Sequence, residues 1–170
     1  MGTLVFVTGG ARSGKSRFAL GRALEQAGSA VTFIAPAQAL DAEMTQRIER
    51  HRLEREALGW TTLEEPLDLS AAFSSVQTET VVLDCLSLWV SNLLLSGVSE
   101  QETLERTEHW LEGASDKTMY VVSNEVGLGI VPEYPLGRQF RDVLGRTNQL
   151  VASRSSEDYL LVAGLALRLK

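Results

Sequence analysis

Short apolar runs alternate along this chain with longer segments whose apolar residues recur at helical spacing. The runs around Leu4-Val5-Phe6-Val7, Val81-Val82-Leu83 and Tyr120-Val121-Val122 are nearly continuous, as in strands covered on both faces. The pattern predicts strands over Thr3–Thr8, Ala30–Ala35, Thr80–Leu83 and Thr118–Ser123, with a short one over Trp60–Leu63. One or two more fall in Tyr159–Leu169, with Gly164 between them. Helices are predicted over Lys15–Ala27, from Asp41 to about Leu58, over Leu86–Leu95 and Glu100–Gly113, and over about Gly137–Ser153. Gly28 and Gly59 suit helix ends, and Asp41 suits an N-cap.

Strands alternating with helices imply an α/β fold: a mostly parallel sheet with helices on both faces. Ligands in such sheets bind beyond the carboxyl ends of the strands. Three polar segments follow strand ends here, namely Gly9–Ser16, Asp84 and Asn124-Glu125. They are expected to converge on one crevice, where Asn124 and Glu125 either line the wall or only cap the segment that follows.

The first of these segments carries the most specific chemistry. Gly9-Gly10-Ala11-Arg12-Ser13-Gly14-Lys15-Ser16 has the Gly-x-x-x-x-Gly-Lys-Ser spacing of a P-loop, between a strand and a helix. Glycines let backbone N–H groups curl around phosphate oxygens, and the following helix turns its positive end toward them. Lys15 reaches the β- and γ-phosphates, and Ser16 is placed to ligate Mg²⁺. Asp84 then suits the second carboxylate on the metal side, or a cap for the helix after it.

Composition narrows the partners. The 170 residues, 44% hydrophobic and 22% charged, suit a single globular domain spanning 1–170. A net charge of -6 argues against nucleic acid as a partner. No apolar stretch approaches the ~20 residues of a membrane span. The run Leu4–Val7 reads as a strand and not as a signal peptide. Cys85 is the one cysteine, which fits a reducing, cytoplasmic setting.

A histidine in a basic stripe is the least generic feature. Within Arg47–Arg55, the residues Arg47, His51 and Arg55 fall at helical i, i+4, i+8 positions. Arginines near an imidazole suit phosphate contact and attack of the ring on an α-phosphate. The same pattern also describes a solvated helix face on which Glu49, Glu54 and Glu56 pair with the arginines.

Several blocks, in order, resemble one family. They are Thr8–Ser16, Ala39–Met44 with Arg47-Ile48, His51 with Arg55 and Trp60, Ser123–Pro132, and Gly145–Gln149. Together they resemble the bifunctional adenosylcobinamide kinase/adenosylcobinamide-phosphate guanylyltransferases of cobalamin biosynthesis, over nearly the whole chain. The resemblance implies a RecA-like P-loop NTPase fold, a homotrimer, Mg²⁺, and ATP or GTP as substrates. It implies that adenosylcobinamide is phosphorylated first. GMP from GTP then passes through a histidine, matching His51, to adenosylcobinamide phosphate, giving adenosylcobinamide-GDP. Nucleotide contacts carried over from the family match the loop Gly9, Gly10, Ala11, Arg12, Ser13, Gly14, Lys15 and Ser16. They continue at Pro36, Ala37 and Gln38, at Arg52, Leu53, Glu54 and Arg55, and at Glu64 and Asp84; the metal ligands would be Ser16 and Asp84. The chain departs from the family pattern at Glu56, where many relatives carry proline, and at Asp84, where some carry glutamate. Two rival readings are a P-loop small-molecule kinase without nucleotidyl transfer and a regulatory NTP-binding switch.

Overall fold

The computed structural model describes residues 2–170. The elements are β1 (Leu4–Gly9), α1 (Lys15–Ala27), β2 (Val31–Ala35), α2 (Ala42–Ala57), β3 (Thr61–Glu64), α3 (Leu69–Ser75) and β4 (Thr80–Asp84). There follow α4 (Leu86–Leu95), α5 (Glu100–Gly113), β5 (Thr118–Asn124), α6 (Pro135–Arg154), β6 (Glu157–Val162) and β7 (Leu165–Arg168). The strands form one sheet in the order β3-β2-β4-β5-β1-β6-β7. Every pairing is parallel except the hairpin of β6 with β7.

Strand side chains alternate between two cores, as the two-residue period requires. Leu4, Phe6, Ile34, Val81, Leu83 and Val121 face the layer of α3 to α6, where Trp89 and Trp110 are buried with them. Val5, Val7, Phe33, Val82, Tyr120 and Val122 face the other layer, against Ala19 and Ala23 of α1 and against Trp60. The strands are apolar at nearly every position because each face has its own cover, which is why the sequence shows runs and not alternation.

Most predicted elements are present, with ends displaced by a residue or two. The helix α3 is an addition to them. It is short, but Asp68 caps it by accepting the Ala71 N–H at 3.0 Å, and it buries Leu69, Ala72 and Phe73. α6 begins at Pro135, a favoured first-turn position for proline, and not at Gly137. The last segment resolves into two strands joined at Ala163-Gly164, whose φ values of 51° and 80° suit a two-residue hairpin turn.

The register sets the position of the site. Gly9 pairs with Asn124, and Asp84 pairs with Val122. The carboxyl ends of β4, β5 and β1 therefore lie side by side at the middle of the sheet.

Candidate active site

The loop between β1 and α1 folds too tightly for side chains at its key glycine. A Cβ on Gly9 would collide with Ser13 Oγ and stand 2.8 Å from the Leu161 carbonyl oxygen. Gly14 takes φ 94° as the N-cap of α1, and Arg12 also has a left-handed φ of 56°. The β6–β7 turn supports the loop from outside, because the Gly164 N–H donates to the Ser13 carbonyl at 2.8 Å. Lys15 Nζ donates to the Gly10 carbonyl at 3.0 Å. No side chain caps α1, and its first turn holds no acid. Its N–H groups and positive dipole end therefore act on the loop without a competing carboxylate.

Asp84 lies across from this loop at the end of β4. Burial pushes its carboxyl above the ordinary range; a hydrogen bond from the Ser16 hydroxyl and the charges of Lys15, Arg55 and His51 oppose that shift. One half-buried carboxylate thus feels the cradle lysine, the cradle serine and the histidine helix together. Among the described residues no three histidine, cysteine or acidic side chains cluster as a metal site. The oxygen donors present are the Ser16 hydroxyl and the Asp84 carboxylate.

The helix α2 is held at two points. At its start Asp41 accepts the Met44 N–H at 2.7 Å. Near its end Arg55 is buried, its guanidinium 3.9 Å from the Phe33 ring centroid and its Nε donating to Thr62 Oγ1 at 3.1 Å. Burial lowers the pKa of Arg55, and the charges of Asp84, Glu54 and Glu64 oppose this. Between these anchors Met44, Ile48, His51 and Arg52 are half-buried and Arg55 is buried, while Arg47 is exposed. The sequence stripe of Arg47, His51 and Arg55 is therefore rotated: Arg55 is buried and His51 half-exposed, while Arg47 lies in solvent.

On this helix the ion pairs foreseen as a solvated face form for Glu49 and Glu56, whereas Glu54 pairs with His51 and not with an arginine. Arg52 bridges Glu49 at 2.7 Å and Glu56 at 3.4 Å. His51 Nδ1 lies 3.0 Å from Glu54 Oε2. A carboxylate only accepts, so Nδ1 is the donor in this pair, and a neutral ring held this way keeps its lone pair on Nε2.

The remaining predicted contacts are dispersed along the β2–β3 side. Pro36 is buried just past β2, Ala37 is half-buried, and Gln38 is exposed. Glu64 ends β3 and acts electrostatically on Arg52 and Arg55. Leu53 is 54% exposed, which leaves it off the inward face of α2.

Sequence reasoning missed the residues that fix these loops. Asn92 Nδ2 donates to the carbonyls of Pro36 at 2.9 Å and Pro66 at 3.1 Å, tying β2 and β3 ends to α4. The Asn124 N–H donates to Ser87 Oγ at 2.9 Å. Asn148 of α6 donates to the Asn124 carbonyl at 3.1 Å and accepts from Ser123 Oγ at 2.6 Å. Nothing in local sequence marks such partners, although Asn148 lies in one of the family-like blocks.

Comparison with known proteins gives the family and the fold. The family described as cobinamide kinase / cobinamide phosphate guanyltransferase matches residues 5–169. A bifunctional adenosylcobalamin biosynthesis protein CobP of Pseudomonas aeruginosa is 45% identical, covering 96% of this chain and 95% of its own. The bifunctional adenosylcobalamin biosynthesis protein CobU of Escherichia coli is 38% identical, covering 98% of this chain and 99% of its own. Among solved structures, the flagellar accessory protein FlaH of Methanocaldococcus jannaschii superposes with TM-score 0.54 at 15% identity, over 99% of this chain and 78% of that one. A KaiC-like protein of Pyrococcus horikoshii gives TM-score 0.51 at 13% identity, over 93% of this chain and 70% of that one. These two likenesses speak for the P-loop NTPase fold alone. The cradle, the sheet order and the near-full-length relatives agree, and the chain belongs to the cobinamide kinase/cobinamide phosphate guanyltransferase family, as a bifunctional transferase.

Proposed function

We propose that one cradle serves both transfers, with Lys15 and the Gly9–Ser16 amides holding the phosphates and His51 acting as the guanylyl carrier. The observation that supports this is the shared environment of Asp84, which senses Ser16, Lys15 and His51 at once. In the kinase step the hydroxyl oxygen of adenosylcobinamide bonds to the γ-phosphorus of ATP or GTP. The bond from that phosphorus to the β–γ bridging oxygen breaks, and the hydroxyl proton is lost. Lys15 and the loop amides stabilise the charge that develops on the transferred group.

In the second reaction His51 Nε2 attacks the α-phosphorus of GTP and pyrophosphate leaves from the cradle. A phosphate oxygen of adenosylcobinamide phosphate then attacks the same phosphorus. The N–P bond breaks, adenosylcobinamide-GDP forms and the imidazole is restored. Glu54 accepts from Nδ1–H and so orients the ring, and in the neutral imidazole this leaves the lone pair on Nε2. Arg55 anchors the helix to the sheet from within. Pro36, Ala37, Gln38, Arg52, Leu53 and Glu64 would border the nucleoside.

Two oxygen donors beside an anion cradle suit a hard divalent cation such as Mg²⁺. Ser16 and Asp84 would hold it, with phosphate oxygens completing its shell, and it would neutralise phosphate charge. We read the chain as one cytoplasmic catalytic domain, 1–170, in a homotrimer, with no nucleic-acid partner. No helix among the described residues is long and apolar enough to cross a membrane.

The test is incubation with GTP labelled at the α-phosphate, without corrinoid. A protein-bound label that is acid-labile and base-stable is expected, together with its loss in His51→Ala. An equally labelled His51→Ala would leave a kinase whose histidine is structural.

A further inference from the structure

The connection from β5 to α6, which starts beside the cradle at Glu125 and Gly9, exposes large apolar side chains. Leu128 is 86% exposed, Ile130 98%, Val131 61% and Tyr134 73%. Soluble proteins rarely crowd so much apolar surface into one short segment unless it binds something. The segment is also held in place. At its start the Glu125 N–H donates to the Gly9 carbonyl at 3.0 Å, and Glu125 Oε1 accepts the Gly127 N–H at 2.6 Å. At its end Arg138 Nη1 donates to the carbonyls of Pro132 at 2.9 Å and Glu133 at 2.7 Å. These bonds fix the two ends of the segment.

Its position selects the occupant. The loop leaves the sheet at the end of β5, between Asp84 on β4 and the cradle on β1. The family reaction needs an acceptor beside the terminal phosphate, and cobinamide is a broad macrocycle with much apolar surface. The nucleotide contacts expected from the family lie instead on the β2–β3 side and on α2.

We propose that Leu128 and Ile130, with Val131 beside them, form the platform on which the corrinoid ring rests while its hydroxyl or phosphate arm enters the crevice. This inference rests on the two-step reading above. Guanylylation of His51 needs no corrinoid, so it separates the two claims.

The experiment compares the full-length protein with Leu128→Ser/Ile130→Ser, and with Leu128→Ile/Ile130→Leu as the conservative pair. Four quantities are read: KM for adenosylcobinamide in the kinase step, its Kd by equilibrium dialysis, the rate of label transfer from GTP to protein, and the solution mass. For the serine pair, KM and Kd rise roughly tenfold or more, as expected from losing two apolar contacts. Protein labelling by GTP stays unchanged, and the conservative pair keeps KM and Kd near the parent values. Unchanged KM and Kd in the serine pair overturn the platform. So does a fall in solution mass with those constants unchanged, which would assign the loop to contact with a second copy. A parent protein that takes no label from GTP but phosphorylates adenosylcobinamide refutes the histidine step and leaves the platform to be decided by KM and Kd.

Discussion

His51 Nδ1 and Glu54 Oε2 lie 3.0 Å apart, one turn from each other on α2. The pair fixes which ring nitrogen is protonated, and so which one can attack phosphorus. Replacing Glu54 by Gln leaves an amide that pairs with either tautomer. Guanylylation in Glu54→Gln is expected to slow roughly tenfold, the usual scale for losing a group that orients a histidine. Phosphorylation of adenosylcobinamide does not use this nitrogen and should proceed at the parent rate. Single-turnover label transfer checks the first statement and steady-state kinase assays the second.

Asp84 gives a pH prediction with a definite sign. Its folded-state pKa is raised by burial, so the folded protein holds this proton more tightly than the unfolded chain does. The ionised carboxylate therefore costs stability above the unfolded value, and the cost fades as pH falls through that range. Asp84→Asn is expected to melt higher than the parent at neutral pH. That gain should shrink as pH falls into the ordinary carboxylate range, where the parent carboxyl takes up its proton. The same variant should lose most kinase activity. Melting curves against pH, set beside kinase rates, test both halves.

Arg55 ties the end of α2 to the sheet. Arg55→Ala removes the stacked guanidinium over Phe33 and its hydrogen bond to Thr62. A loss of about 1–3 kcal/mol in unfolding free energy is expected. Arg55→Met keeps the packing volume and should recover part of that loss. Denaturant unfolding of the three proteins decides it, and equal stabilities would contradict the anchoring role.

Gly9→Ala tests the cradle. Its Cβ would collide with Ser13 Oγ and meet the backbone of Leu161 at 2.8 Å, so the loop must move off the β6 side. Nucleotide affinity should fall at least roughly tenfold, since a shift of the loop breaks several amide contacts together. Titration with a fluorescent nucleotide measures it.

Much of the site is legible in the sequence because it is local. The P-loop is a run of eight residues whose turn, helix start and lysine all read from adjacent positions. Apolar runs ending in Gly9, Asp84 and Asn124 announce strand ends at one crevice. The pairings that crowd those ends together are not legible. Gly164 against Ser13, Asn92 between Pro36 and Pro66, and Asn148 across Ser123 and Asn124 join residues distant in sequence. The short helix α3 is hard to read because one turn of apolar spacing after Leu67 is a weak signal, although Asp68 is available as its cap. The arginine stripe of α2 is visible, but its rotation is not. Only packing onto Phe33 makes Arg55 the buried member and leaves Arg47 in solvent.

The P-loop and His51 are proposed to work on the same nucleotide, and everything else in the two-step reaction depends on that. The most direct measurement is label transfer from α-labelled GTP to the parent, to His51→Ala and to Lys15→Ala. A base-stable label is predicted on the parent only, since one variant lacks the nucleophile and the other lacks the grip on the departing pyrophosphate. A His51→Ala protein labelled as fully as the parent, or a Lys15→Ala protein guanylylated at the parent rate, would contradict it.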